Sequence, residues 1–257
     1  MFWKKKKEGE NMAKTILGMI MLHDENSFNL NDFFLDLKKN YGYEINDAIG
    51  DTSSLAFTLN DELVGMGYIS APIPNKDIEQ TAVYAYNWMS AVNDLQHHRS
   101  HIIISILNGT ENQVKRFKIF TQIICSILRT TDSIGVYMGN QSLLIPKKDY
   151  IYEASLMNDH HLPLRLWIYF GLRITDKGES GYTYGLKEFN KNELEILNST
   201  KDINAISLFL LNISHYLLQE NVTFKDGQTC GFSEDEKIEI KLSAGKFNEG
   251  DTFKLLY

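Results

Sequence analysis

The spacing of apolar residues predicts short β-strands that alternate with amphipathic helices. Residues 15–22 form a compact apolar run, which is typical of a buried strand. Residues 54–59 and 63–70 flank Asn60-Asp61-Glu62, and this pattern predicts a β-hairpin. Residues 101–107 predict a further apolar strand.

Two helices are predicted between these strands. Asn31 is expected to cap a helix over residues 32–40, and Gly42 is a natural end for it. A second helix is expected to begin at Asn75, because apolar residues recur at helical spacing after it: Ile78, Ala82, Ala85, Met89 and Val92. The first hundred residues therefore have the order β-α-β-β-α-β, as in a ferredoxin-like split βαβ unit.

The second half of the chain continues the alternation. A strong helix is predicted over residues 111–129 and another over 205–219, with strands before, between and after them. We therefore predict an α+β protein of two packed lobes with mainly antiparallel sheets, arranged as a diverged internal duplication. We expect the chain to consist of three parts: a disordered basic tail over residues 1–12, an N-terminal lobe over 13–97 and a C-terminal lobe over 98–257. Because no proline-rich or glycine-serine linker separates the lobes, we expect them to form one compact unit.

Several features of the chain indicate a cytoplasmic protein. No apolar stretch reaches the roughly 18–20 residues that span a bilayer, so no membrane span is predicted. Lys4 to Lys7 are not followed by the apolar run of a secretory signal. These lysines are expected to form a solvated tail, with contact to anionic lipid as the alternative. Cys125 and Cys230 are the two cysteines, which is too few for a disulfide framework.

The charge of the chain bears on its partners. The 26 basic and 33 acidic residues give a net charge of −7. Removing the first ten residues takes away four lysines and two glutamates, which leaves 22 basic and 31 acidic residues, or −9. This excess of negative charge argues against nucleic-acid binding through phosphates and favours a protein partner with a basic surface.

The densest group of candidate functional residues is His97-His98-Arg99-Ser100-His101 at a predicted strand entrance. Histidine suits proton transfer, and an adjacent arginine suits an anion. The structural alternative is that these histidines bond to the backbone. His160 and His161 could complete a site if the fold brings them to the first group. Because no third or fourth metal ligand is evident, we predict neither a metal nor a cofactor. The candidate ligand-binding residues are His98, Arg99, His101, His160 and His161.

Common catalytic motifs are absent from the sequence. Gly65-Met66-Gly67 lacks the third glycine of a dinucleotide-binding loop, and the P-loop, Gly-x-Ser-x-Gly and His-Glu-x-x-His patterns do not occur. Cys125 lies between Ile124 and Ile127 in a helical pattern, where a thiol behaves as a small hydrophobic group. Glu193 and Glu195 lie in a polar stretch, so both are expected on a solvated face.

Several short segments occur in a distinctive order and spacing over roughly residues 98–242. They are His98-Arg99-Ser100-His101, Gly135-Val136-Tyr137, Leu162-Pro163-Leu164-Arg165-Leu166-Trp167, Tyr184-Gly185-Leu186-Lys187-Glu188-Phe189, Glu193-Leu194-Glu195-Ile196 and Asp226-Gly227-Gln228-Thr229-Cys230-Gly231. Together they resemble a bacterial family known as domain of unknown function 4261. The family has no known activity, so the resemblance implies a bacterial protein and transfers no catalytic role.

Two functional hypotheses follow from the sequence. The first is a non-enzymatic protein-binding module, such as an immunity-like or accessory factor. The alternative is an enzyme or small-anion-binding protein that uses His98, Arg99 and His101. It requires that at least two of these side chains converge in a concave pocket with a further titratable group. A homo-oligomer formed through sheet edges remains a third hypothesis.

Overall fold

A computed structural model describes residues 14–24, 27–108, 112–231 and 237–257, and these ranges fold into two sheets with six helices. The predicted α+β class with mainly antiparallel sheets is confirmed. The predicted tail over residues 1–12 lies outside the described residues. No helix in the described ranges is long and apolar enough to cross a membrane.

The first sheet contains seven strands. They are β1 (Ile16–Leu22), β2 (Ile49–Gly50), β3 (Ser54–Leu59), β4 (Glu62–Ile69), β5 (Ser100–Asn108), β6 (Ser133–Met138) and β7 (Leu143–Pro146). Their spatial order is β2-β3-β4-β5-β1-β6-β7, with antiparallel neighbours throughout. The predicted hairpin joins β3 to β4 through Asn60 and Asp61, both at positive φ, as a two-residue hairpin turn requires.

The second sheet contains six strands. They are β8 (Tyr169–Thr175), β9 (Gly178–Tyr184), β10 (Leu194–Ser199), β11 (Thr229–Cys230), β12 (Ile238–Ala244) and β13 (Asp251–Leu255). Their order is β11-β12-β13-β10-β9-β8. β10 and β13 pair in parallel, whereas the other neighbours in this sheet are antiparallel.

The helices cover the apolar faces of the sheets. They are α1 (Leu30–Tyr41), α2 (Asn75–Ala82), α3 (Ala91–Asp94), α4 (Gln113–Thr130), α5 (Lys147–Ser155) and α6 (Ile203–Gln219). α4 lies against α1, α5 and β1, and α6 lies on β8 and β9. One hydrophobic core joins the two sheets: it contains Ile20, Phe120, Trp167 and Leu210. Because burial of apolar surface is the main source of stability, this shared core stabilises both sheets together.

The structure corrects the predicted bounds of the first two helices. The cap of α1 is Asn29, whose side chain accepts the N–H groups of Asn31 and Asp32, so the prediction of Asn31 is wrong by two residues. The predicted end is confirmed, because Gly42 takes the left-handed conformation with φ 73°.

α2 ends at Ala82, so the predicted continuation to Val92 is wrong. After it the chain turns, and Trp88 rather than Met89 enters the protein. The Trp88 ring covers Gly135 on β6, where an added Cβ would lie 2.8 Å from the ring. A larger residue at position 135 would clash with the ring, so this contact requires glycine. The burial of Trp88 against Gly135, rather than the local helical spacing, decides which side chains enter the core here.

The ferredoxin-like order and the internal duplication are not confirmed. β1 lies between β5 and β6, and the first sheet lacks a counterpart to the parallel pair of β10 and β13 among its described strands. The sheets also do not follow the division between residues 13–97 and 98–257. β5, β6 and β7 come after residue 97, yet they pair into the sheet that contains β1.

Candidate functional site

His98 is held by backbone groups on both sides of its ring. Its side chain is buried, Nε2 accepts the N–H of Ile73 at 2.9 Å, and Nδ1 donates to the carbonyl of Leu95. Both ring nitrogens are therefore occupied in a neutral tautomer. His98 closes the turn before β5 and has no nitrogen left for proton transfer.

His101 is also buried and bonded to the backbone. Its Nδ1 lies 2.8 Å from the carbonyl of Ala71. Burial lowers the pKa of its imidazole, and the bond to the Ala71 carbonyl offsets only part of that effect. Arg99 points to the surface beside a cavity of about 220 Å³ that Glu79 also lines. The carboxylate of Glu79 opposes the binding of an anion by Arg99 in that cavity.

His160 and His161 do not join this group. Both are exposed, and neither lines the cavity that contains His98 and Arg99. The His161 ring lies 6.2 Å from the ring of His215 on α6, and His215 Nε2 accepts the N–H of Leu162. The five candidate residues thus lie in two separate regions of the fold. The described side chains do not converge as the enzyme hypothesis requires.

We expect His98→Ala to lower the free energy of unfolding by about 1–3 kcal/mol, because the buried N–H of Ile73 loses its acceptor. Equilibrium urea denaturation measures this change. His97→Ala is the matched control, since His97 is exposed and its loss should cost less than about 0.5 kcal/mol. Equal stability of the two variants would contradict a structural role for His98.

Glu193 is buried, so its predicted place on a solvated face is wrong. Its Oε1 accepts the N–H groups of Gly185 and Lys187 at 2.8 and 3.1 Å, and its Oε2 accepts the Thr183 hydroxyl at 2.7 Å. Gly185 has φ 132°, which favours glycine. Glu193 therefore stabilises the turn after β9. Its burial was not predicted because its neighbours in the sequence are polar.

Glu195 is fully buried, which also corrects the prediction. Its carboxylate accepts the N–H groups of Lys246, Phe247 and Asn248, and Lys254 Nζ lies 3.2 Å away. Burial raises the pKa of this carboxyl, but the donors of Lys246, Phe247, Asn248 and Lys254 outweigh that effect and hold the pKa below its usual range. The carboxylate is occupied by donors within the fold, so it has a structural role.

Exposed apolar side chains follow α2, where sequence periodicity had predicted a core-facing helix. We call Val83, Tyr84, Tyr86, Met89 and Val92 the 83–92 surface. Met89 is 95% exposed, Val83 73% and Tyr84 53%. Helical periodicity in the sequence did not take Trp88 into account. The turn that buries the Trp88 side chain leaves the side chains next to it exposed.

Arg173 and the second sheet flank the 83–92 surface. The Arg173 guanidinium lies 5.9 Å from the Tyr84 ring and 5.8 Å from the Tyr182 ring. The ring of Tyr86 lies 6.0 Å from that of Tyr169 on β8. These contacts hold the tyrosines in place, which lowers the conformational entropy lost when a partner binds.

The described residues contain neither a cluster of metal ligands nor an activated thiol at Cys125. No group of three or more His, Cys, Asp or Glu residues there is placed to hold a metal ion. Cys125 is buried, and burial raises the pKa of its thiol to about 11. A thiol with this pKa is almost entirely protonated at neutral pH and is a poor nucleophile.

A comparison with known families locates the resemblance in the second sheet. Residues 182–256 match the family model described as "Domain of unknown function (DUF4261)". No curated protein and no solved structure matches the chain. The match contains Glu193, Glu195 and the turn at Gly185, whereas His98 and Arg99 lie outside it. The resemblance to this family is thereby confirmed over residues 182–256, whereas the segments at 98–101, 135–137 and 162–167 lie outside the match.

Proposed function

We propose that this protein is a non-enzymatic binding module that docks a protein partner through the 83–92 surface, as an immunity-like or accessory factor. The observation that carries the proposal is the exposure of Val83, Tyr84 and Met89 within seven residues. Clustered exposed apolar side chains mark interaction sites on folded proteins. Tyrosine, methionine and arginine are enriched at such interfaces, and Arg173 stacks on Tyr84 here.

The proposed partner has a basic surface around an apolar contact. The chain after its first ten residues carries −9, which favours attraction to a positively charged protein. Glu79 on α2 and Asp94 on α3 place carboxylates on both sides of the 83–92 surface along the chain. The apolar side chains would supply affinity, and the acidic body would speed association.

The enzyme and small-anion alternative at His98, Arg99 and His101 has less support. Both histidines are bonded to backbone groups, and Glu79 lines the same cavity as Arg99. The docking proposal explains a feature that this alternative leaves without a role, namely the exposed apolar residues after α2.

Native mass spectrometry of tagged protein recovered from its own host cells tests the docking proposal. We expect a stoichiometric protein adduct that weakens as salt is raised and is lost in Met89→Asp. Leu208→Asp is the matched control, because Leu208 is 57% exposed on α6, away from the 83–92 surface. The control should keep the adduct.

Three outcomes would contradict the docking proposal. They are a bare monomer, an adduct that survives both Met89→Asp and Tyr84→Ala, and a dimer of this chain that Met89→Asp dissociates. The last would assign the 83–92 surface to a second copy of the chain.

A further inference from the structure

A groove of about 810 Å³ lies between the start of α4, the 3-10 turn at Leu186–Phe189 and the end of α6. Three lysines line it: Lys115, Lys118 and Lys191. Asp159 is the one carboxylate among its described lining residues, and side-chain amides and a threonine supply most of the other polar groups. We call this cavity the lysine groove.

Lys191 is a buried cation in the wall of the groove. It is 9% exposed, and its Nζ donates to Asn221 Oδ1 and Thr223 Oγ1, both at 3.0 Å. Both acceptors are neutral, and no carboxylate within the described ranges pairs with it. Burial lowers the pKa of its ammonium. A buried charge without a counter-charge is costly, and an ammonium has a third N–H to offer.

The other two lysines add positive charge that is only weakly balanced. Lys118 Nζ donates to the carbonyl of Asn158 and lies 3.8 Å from Asp159, whose side chain is 99% exposed. Such an exposed ion pair contributes little. Lys115 is exposed and makes no ion pair among the described residues.

The start of α4 reinforces this positive field. α4 is 18 residues long, and Asn112 caps it by accepting the N–H of Lys115 at 2.9 Å. The positive end of its dipole thus lies at the groove and favours negative charge there.

We propose that the lysine groove binds a small polyanion that carries phosphate or carboxylate groups. Lys191 contacts the ligand from the buried wall, and Lys115 and Lys118 contact it from the rim. The groove falls in the range of about 300–1,000 Å³ that small-molecule sites occupy. The negative net charge of the chain opposes a long nucleic acid. This site is independent of the docking proposal, since it shares no residue with the 83–92 surface.

Isothermal titration calorimetry with pyrophosphate and with citrate, at constant ionic strength set with sodium chloride, tests the site. The pyrophosphate arm reports a phosphate ligand and the citrate arm a carboxylate ligand. We expect saturable 1:1 binding in at least one arm. Lys191→Met should weaken that binding by about tenfold or more, because a charge-assisted hydrogen bond is lost.

Matched variants separate the site from general charge effects. The rim variant Lys115→Gln/Lys118→Gln should weaken binding several-fold without affecting folding, so it decides the test if Lys191→Met fails to fold. Lys177→Gln removes an exposed lysine in the turn between β8 and β9, and it should bind like the wild type. The proposal is overturned if neither anion binds saturably, or if the rim variant binds as tightly as wild type. Tighter, strongly salt-dependent binding of a single-stranded oligonucleotide would also overturn it.

Discussion

Replacing Arg116 with methionine is expected to lower the free energy of unfolding by about 3–5 kcal/mol, because it leaves the Glu62 carboxylate buried without its cation. Both side chains are fully buried, and Arg116 Nε donates to Glu62 Oε2 at 2.8 Å. The same guanidinium donates to the carbonyls of Ile106 and Lys14 and to Gln113 Oε1. One side chain thus ties α4 to β4, to β5 and to Lys14, two residues before β1.

A double-mutant cycle in urea denaturation measures this effect. Glu62→Leu combined with Arg116→Met removes both charges, so the pair should be less destabilised than the sum of the two single variants. Lys115→Met is the matched control on the same helix, and its exposed charge should change stability by less than about 0.5 kcal/mol. A loss below about 1 kcal/mol in Arg116→Met would mean that the pair is not the buried unit described here.

The second large effect is expected at Glu195. Glu195→Gln keeps the size of the side chain but turns an NH2 group toward buried donors, so we expect a loss of about 3 kcal/mol at neutral pH. The carboxylate holds the N–H groups of Lys246, Phe247 and Asn248 and pairs with Lys254. The loop before β13 and the parallel pairing of β10 with β13 both depend on these contacts.

The pH dependence of stability provides an independent measurement. The pKa of Glu195 lies lower in the folded protein than its ordinary value of 4.5. Its contribution is therefore fully present above that value and is lost as the pH falls through it toward the folded pKa. We expect the free energy of unfolding of the wild type to decrease in this acidic range. In Glu195→Gln the part of the decrease that comes from this carboxyl should be missing.

Glu239→Gln is the control for this experiment. Glu239 lies on β12, which β13 separates from β10. It is about half exposed and lies 3.7 Å from Lys241. Its replacement should leave both the neutral-pH stability and the acid slope close to those of the wild type. If Glu195→Gln showed the same acid slope as the wild type, the buried carboxylate would not be the group that titrates.

Local patterns in the sequence predicted the elements whose cause is local. The apolar run at β1, the turn at Asn60-Asp61 and the glycine after α1 each act on their own few residues, and all three lie close to where they were predicted. The apolar face of α6 likewise gives its helical periodicity, and α4 is an apolar helix that is buried on most of its sides. The order of strands in the first sheet could not be predicted, because the residues of β1 pair with residues 78 to 118 positions away in the sequence.

Burial of polar residues was the main failure of local reasoning. Glu193 and Glu195 have polar neighbours in the sequence, yet both are buried. Glu193 accepts N–H groups from the turn six to eight residues before it, and Glu195 accepts them from a loop 51 to 53 residues after it. Met89 fits a helical stripe, but the contact of Trp88 with Gly135 on β6 exposes it. In each case a contact made in the folded chain, rather than the polarity of adjacent residues, decided the outcome.

The sequence by itself determined the α+β class, the principal helices and hairpin, the acidic body and the resemblance to the domain of unknown function. Periodicity, turn chemistry and charge are properties of neighbouring residues, so they can be read without a fold. Tertiary structure alone decided that His98 and His101 bond to backbone, that Glu195 is buried, and that Lys115, Lys118 and Lys191 share one groove. These facts depend on which distant segments pack together, because burial and hydrogen-bond partners are set by the whole core rather than by sequence neighbours.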